Sequence, residues 1–432
     1  MIGTGAILLI VALIVFMAIG APVYLSILLA SFATILNTGG KMHTVVQRLY
    51  TANDNFPLLA IPFFFMAGEL MLQGGISRRI VNFARSLLSW VRGSMAVITM
   101  VSCAFFGAIS GSSYATTVAI GKIMYPEMLQ EGYEAGYAAV LQAVGGTLGV
   151  LIPPSILCVL YGVATGSSVG DMLLYIAPAG ILTMLAYIGM ALWLIRKKSV
   201  QNFYVPVVLK PDSTSQKVAL KKLGADCLEA FWALLSPVII LGGIYMGIFT
   251  PTECAIVATI YSWLVGTFVY RELNPKTTCR ALTDSVVGSA CVIIIVDAAN
   301  VFSWLLTVNN VARAVAAGVS NTVSTPVSFL LLINIVYFIA GMFVEGSVTI
   351  TIITPLLFPV AKSFGINPIH FGVVTILNCI IGTLTPPFGG ALFVTTGFTK
   401  VPVITLVKRV WPFVMIGMAT CLMVTYIPLL WL

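Results

Sequence analysis

A chain of 432 residues, 59% apolar and only 8% charged, with a mean hydropathy of +1.05, is excluded from the soluble globular class and reads as an integral membrane protein. Its formal net charge of +8 is no nucleic-acid signature, because the basic residues gather at the ends of apolar runs. The eight cysteines are scattered, never form C-x-x-C and mostly lie in apolar runs, so they read as small buried hydrophobes rather than disulfides or metal ligands.

Residues 1–40 carry no charged side chain, and the same holds for 93–121, 135–170, 172–195, 230–252, 314–344 and 410–432. A helix needs about 20 apolar residues to cross the hydrocarbon core, so these windows predict roughly ten full spans plus shorter, broken segments. The first 19 residues lack a basic leader and an A-x-A-like site, so they read as a membrane segment rather than a signal peptide.

ISRRIVNFARSLLSWVR, at 76–92, places Ile80, Phe83, Ala84, Leu87 and Leu88 on one helical face. Arg78, Arg85 and Arg92 repeat on another, which predicts a helix lying in the membrane interface. Glu69, in FMAGELM, reads as a helix end at that interface.

AISGSSYATTVAIGKIMYPEM, at 108–128, packs small polar residues where leucines would be expected. Gly111 and its neighbours Gly107 and Gly121 permit turns or close packing, while Ser112, Ser113 and Thr116 offer hydroxyls. The uncharged run 135–170 is too long for one helix and is cut by LIPPSI. Paired prolines remove two amide donors and push the preceding residue out of helical geometry, so Gly149, Ile152, Pro153 and Pro154 mark a break. Broken backbone at membrane depth is tolerated only inside protein or beside a watery cavity. Its free carbonyls and helix ends suit a bare cation, and helix N-termini suit a carboxylate. The alternative is that small-residue runs simply let helices pack.

GSSVG, at 166–170, matches the G-x-S-x-G nucleophile pattern, but Ser168 followed by Asp171 before an apolar run reads as a helix cap. Only two histidines exist, and GKM (40–42) and GKI (121–123) lack the Ser/Thr of a phosphate-binding loop. The chain is therefore expected to be no enzyme and to use no ATP. Between 196 and 222 lie seven Lys and Arg against the single acid Asp212, which predicts a cytoplasmic linker.

The second half repeats the first. Pro126 and Pro359, Gly132 and Gly365, Gly149 and Gly382, Pro153 and Pro386, and Pro154 and Pro387 all pair at one shift of 233 residues. The expected organisation is a repeat over 1–196 with a hairpin region at 94–163, a basic linker and amphipathic helix over 197–229, and a second repeat over 230–432 with a hairpin region at 325–396. With an odd number of crossings per half, the repeats are inverted, as in secondary transporters. VEGSVTITIITP, at 344–355, brings Glu345, Gly346, Ser347 and Thr349 opposite the first Gly-Ser tip, and GTLTPPFGG brings Gly382, Thr383, Thr385 and Pro386. Asp297 is a further intramembrane acid, and such acids are functional candidates by default. For Glu345 the alternative is a tip reaching water.

IPFFFMAGELMLQGGISRRIVNFA, FFGAISGSSYATTVAIGKIMYPEM, LGVLIPPSILCVLYG and GGIYMGIFTPTECAIVA closely resemble the large membrane subunit of tripartite ATP-independent periplasmic (TRAP) transporters, in order and along essentially the whole chain. The resemblance implies an all-α, elevator-type importer in a bacterial inner membrane, with Na+ as the coupling ion. It also implies two partners, a small membrane subunit of about four helices and a periplasmic binding protein that delivers an organic acid. Members carry sialic acids, C4-dicarboxylates and sugar acids, and N-acetylneuraminate is the first expectation here. A channel or a membrane-embedded enzyme is the rival class.

Overall fold

A computed structural model describes residues 4–38, 42–88, 91, 93–196, 216–311, 318, 323, 325–386 and 389–427. Arg92, Pro387 and most of the basic linker (197–215) lie outside these. The described residues form helices and no β-strand. The first half comprises α1 (Thr4–Ala18), α2 (Val23–Thr38), the amphipathic α3 (Met42–Ala52), α4 (Ala60–Gln73) and α5 (Ile76–Leu88). It continues through α6 (Ser94–Ser110), α7 (Ser113–Gln130), α8 (Ala135–Leu151), α9 (Ile156–Thr165) and α10 (Val169–Arg196). The second comprises α11 (Gln216–Tyr245), α12 (Pro251–Leu264), α13 (Pro275–Val308) and α14 (Pro326–Phe343). After these come α15 (Gly346–Ser363), α16 (Pro368–Gly382), α17 (Gly390–Thr399) and α18 (Val403–Tyr426).

Helix ends follow local chemistry. Thr250–Glu253, Asn274–Thr277 and Thr325–Ser328 form capping boxes, each followed by proline in the first turn, where its missing amide costs nothing. Ser168 is likewise a cap, since its Oγ accepts the Asp171 amide at 3.2 Å ahead of α10. No strand precedes it, so the nucleophile-elbow geometry is absent there.

Among the described residues eight helices are long and apolar enough to cross a membrane, or nine if the bent pair α8–α9 counts as one span. That is fewer than the ten read from charge-free windows. The window 93–121 holds a turn at Gly111–Ser112, and 135–170 holds the proline break, so apolar length there is divided among short arms.

The repeat is visible in the helices themselves. Each of α14 to α18 begins within one residue of the start of α6 to α10 displaced by 233. α8 and α16 sit at the centre, with nearly every residue buried. Helices apolar on all sides belong in such interiors. In contrast, α10, α11 and α13 expose large apolar side chains such as Leu185, Phe231 and Val286, as suits a lipid-facing surface. Five cysteines are buried and three exposed, and all eight are free thiols.

Helix α5 departs from a simple interface helix. Ile76, Ile80, Val81 and Ala84 are buried, but Leu87 is exposed. Arg79 pairs with Glu272 at 2.6 Å and lies 3.7 Å over the Tyr270 ring, while Arg85 pairs with Glu127. The helix is thus pinned at one end to the loop after α12 and at the other to α7.

Candidate functional site

The two halves meet at the tips of their hairpins. α6 ends at Gly111, whose φ of +62° is the left-handed conformation glycine adopts without a Cβ penalty. Glycine is required for a second reason, because a Cβ here would lie 2.9 Å from the Pro154 carbonyl oxygen. The Ile156 amide donates to the Gly111 carbonyl at 3.2 Å, so the first tip is tied directly to the first break. Pro153 and Pro154, joined by a cis peptide bond, separate α8 from α9, which bend by 45°.

Ser112 caps α7, and Thr116 Oγ1 donates back to the Ser112 carbonyl at 2.8 Å. At the equivalent place in the second half Glu345 holds the N-cap position of α15 without a side-chain capping bond, and Thr349 Oγ1 donates to its carbonyl at 3.2 Å. Gly149 presses on the first tip, since a Cβ there would stand 2.6 Å from the Ser112 carbonyl oxygen. Its counterpart Gly382 presses on α14, where a Cβ would meet Gly341 Cα at 2.7 Å. These glycines are the points of closest backbone approach behind the tips.

α15 packs on α9 and α17 packs on α7, so each tip rests on the break of the opposite half. Between them lies a cavity of about 40 Å3. From the first tip it is lined by Gly111, Ser112, Ser113 and Tyr114, and from the second by Glu345, Gly346 and Ser347. Val150, Ile156 and Leu157 come from the first break, and Ile380 and Thr383 from the second. Phe65 of α4 and Val292 of α13 close one wall. Such space admits a bare cation together with a few waters.

Among the described residues Glu345 is the one charged residue in the lining, and Ser347 Oγ donates to its carboxyl group. Ser113 is 6% exposed and its Oγ has no hydrogen-bond partner. A buried hydroxyl without a partner carries a desolvation penalty, which a bound ion or polar ligand would relieve. The N-termini of α7 and α15 open on the same space. The site therefore offers hard oxygen ligands with one negative charge beside two electropositive helix ends, an arrangement fitted to a cation and an anion together.

Seven of the sequence candidates line this cavity: Gly111, Ser112, Ser113, Glu345, Gly346, Ser347 and Thr383. Thr116, Gly149, Pro154, Thr349 and Gly382 stand behind it, through the contacts already given. Pro153 and Thr385 are buried in the breaks; Ile152 and Pro386 are half-buried there. Asp297 is elsewhere. It lies on α13, half-buried, with Oδ1 lacking a partner, beside residues that pack on α1, α2 and α15 rather than in the cavity wall.

Tyr114, Val150, Phe65 and Val292 belong to the cavity but did not stand out in the sequence. A signal for two of them existed. Under the 233-residue shift Tyr114 falls on Ser347 and Val150 on Thr383, so half of each pair had been singled out already.

Comparison with known proteins bears on the same region. The sequence profile described as "Tripartite ATP-independent periplasmic transporter, DctM component" matches residues 10–430. The C4-dicarboxylate TRAP transporter large permease protein DctM of Pseudomonas aeruginosa is 37% identical over 394 residues, covering 91% of this chain and 90% of that one. The sialic acid TRAP transporter large permease protein SiaM of Vibrio cholerae is 34% identical, with the same coverage of 91% and 90%. The isethionate TRAP transporter permease protein DctMQ of Oleidesulfovibrio alaskensis is 37% identical over 96% of this chain, which spans 64% of that protein. Among solved structures, the YdaH transporter of Alcanivorax borkumensis superposes with a TM-score of 0.63, covering 90% of this chain and 89% of that one at 14% identity. That likeness concerns the fold.

Proposed function

This chain belongs to the DctM family, the large membrane component of TRAP transporters, and from that premise we propose that it imports an organic acid by Na+ symport. The observation that carries the proposal is the cavity between the hairpin tips, where the Glu345 carboxylate, Ser and Thr hydroxyls and two helix N-termini converge. Na+ is cargo here. Ser112, Ser113, Glu345, Ser347 and Thr383 are the groups that would hold it, and the helix N-termini would receive the substrate's carboxylate.

Each Na+ entering down an inside-negative potential of about 100 mV contributes about 2.3 kcal/mol. Two such ions with a monoanion such as isethionate carry one net positive charge inward. With a C4-dicarboxylate dianion two Na+ only balance the charge, so that the potential adds drive when a third Na+ enters and otherwise the Na+ concentration gradient alone drives uptake. In this reading the hairpin bodies, α6–α9 and α14–α17, move together as an elevator against a scaffold drawn from residues 1–40, 170–270 and α18. The small membrane subunit braces the scaffold, and the periplasmic protein delivers the acid. Of the acids named for the relatives, compact ones such as C4-dicarboxylates and isethionate require the least widening of the cavity, and they are favoured over N-acetylneuraminate.

The test is reconstitution of this chain with its small subunit in proteoliposomes, with and without the binding protein, under an inward Na+ gradient. Labelled acid should accumulate only with the gradient and the binding protein both present. Uptake that ignores Na+ would overturn the coupling, and uptake without the binding protein would overturn the tripartite arrangement and favour a channel.

A further inference from the structure

Apart from Glu345, most of the hairpin-tip lining is small, glycines and serines. The exception is Tyr114, the second residue of α7, whose register partner in the other half is the small Ser347. Its ring reaches across the repeat interface to the second break, where a Cβ on Gly390 would overlap the Tyr114 hydroxyl. The mirror contact is built the other way round. There Leu157, the register partner of Gly390, sits on the break, and a Cβ on Gly346 of the tip would stand 3.0 Å from Leu157 Cδ1. Both contacts pair a large residue with a glycine, but only in the first half is the bulk carried by the hairpin tip. Tyr114 shares the cavity with the Glu345 carboxyl group, so both side chains border the same space.

We infer that Tyr114 is the size-determining residue of the substrate site. Resting on the functional reading above, the inference assigns the permease itself a selectivity for compact acids of the four-carbon class, in addition to any choice made by a binding protein. The physical basis is steric. Backbone and small side chains at the tips leave little to retract, whereas a tyrosine side chain fills space that a larger acid would need. Pocket volume discriminates between substrates by about tenfold or more per well-placed group.

The experiment uses the purified complex of this chain with its small subunit and no binding protein, so that the permease's own preference is read. Thermal stabilisation in Na+ is measured with succinate, D-glucuronate and N-acetylneuraminate. The parent should respond in that order. Tyr114→Ala should improve the half-saturating concentration of the two larger acids relative to succinate by about tenfold, while Tyr114→Phe, which keeps the ring, should preserve the parent's order. Gly390→Ala displaces the tyrosine into the cavity and should weaken even succinate. Adding Tyr114→Ala to it should recover the response, a rescue that a general folding defect would not produce. An unchanged size order in folded Tyr114→Ala, a parent that takes N-acetylneuraminate as well as succinate, or a Gly390→Ala defect that Tyr114→Ala leaves in place would each overturn the inference alone. A parent stabilised by none of the acids in Na+, and silent in the uptake assay, overturns the functional reading and this assignment with it.

Discussion

The two hairpin tips share a backbone and differ in chemistry. Ser112 and Glu345 occupy the same register position, stand at the N-cap of equivalent helices and accept the same backward bond from Thr116 and Thr349. One tip has no acidic side chain and carries a ring at Tyr114; the other carries the Glu345 carboxyl group and a hydroxyl at Ser347. The shared register sets where the polar backbone lies, and side-chain identity sets which tip bears the acid and which the bulk. On the proposed function, the second tip is then the principal cation ligand and the first the wall that shapes the acid.

The largest effect should come from the feature the halves share. Gly149→Val and Gly382→Val each place side-chain atoms where a Cβ would already lie within 2.7 Å of backbone. Overpacking costs about 1–3 kcal/mol where neighbours can shift, and more where backbone blocks the way. Both variants should lose uptake and show a lowered melting temperature in detergent. If one is tolerated and the other is not, the halves are not equivalent in packing, and the comparison fails at its base.

Next comes the charge that separates them. Glu345→Gln keeps the shape and removes the single charge of the lining. A bond to a charged species contributes about 1.5–3 kcal/mol, so half-maximal uptake should require roughly ten- to a hundredfold more Na+. Ser112→Glu, the reverse change at the mirror position, should not restore it. Recovery in the double variant would show that the tips are interchangeable as ion ligands. Ser347→Ala should fall below this, at about tenfold, because it removes the donor to Glu345 while leaving the carboxylate.

Much of this was legible in sequence for a physical reason. Glycine and proline punctuate backbone wherever they stand, so Gly111, Pro153 and the 233-residue shift report breaks and tips without knowledge of packing. Among the described residues charge-free length exceeds continuous helix length at the tips, because a Gly-Ser turn inside an apolar window leaves hydropathy high while dividing the helix. Tyr114 and Phe65 were hidden because an aromatic in an apolar run looks like any core or lipid-facing residue. Asp297 was prominent for its charge alone, and charge does not say which face of α13 meets the cavity.

The smallest effect is expected at Ser112, the residue most conspicuous in sequence. Its Oγ accepts the Ala115 amide at 3.4 Å, a long bond, while its carbonyl oxygen takes the better one from Thr116 Oγ1 at 2.8 Å and stands against Gly149. Ser112→Ala removes the hydroxyl and retains that carbonyl. Loss of an N-cap costs about 0.5–2 kcal/mol, and a bond this long places the change at the low end. The melting temperature without Na+ should therefore drop slightly, and the Na+ requirement should rise by only a few-fold, well short of Ser347→Ala. Thr116→Val separates the two roles further, since it withdraws the hydroxyl donor and leaves the Ser112 carbonyl with the Thr116 amide alone, at nearly constant side-chain volume. Side by side, Na+ titrations of uptake for Ser112→Ala and Ser347→Ala decide the matter. Equal shifts would make the first tip an ion ligand through its hydroxyl, whereas the asymmetry expected here leaves its backbone as the contributor and the second tip's carboxylate and hydroxyl as the stronger cation site.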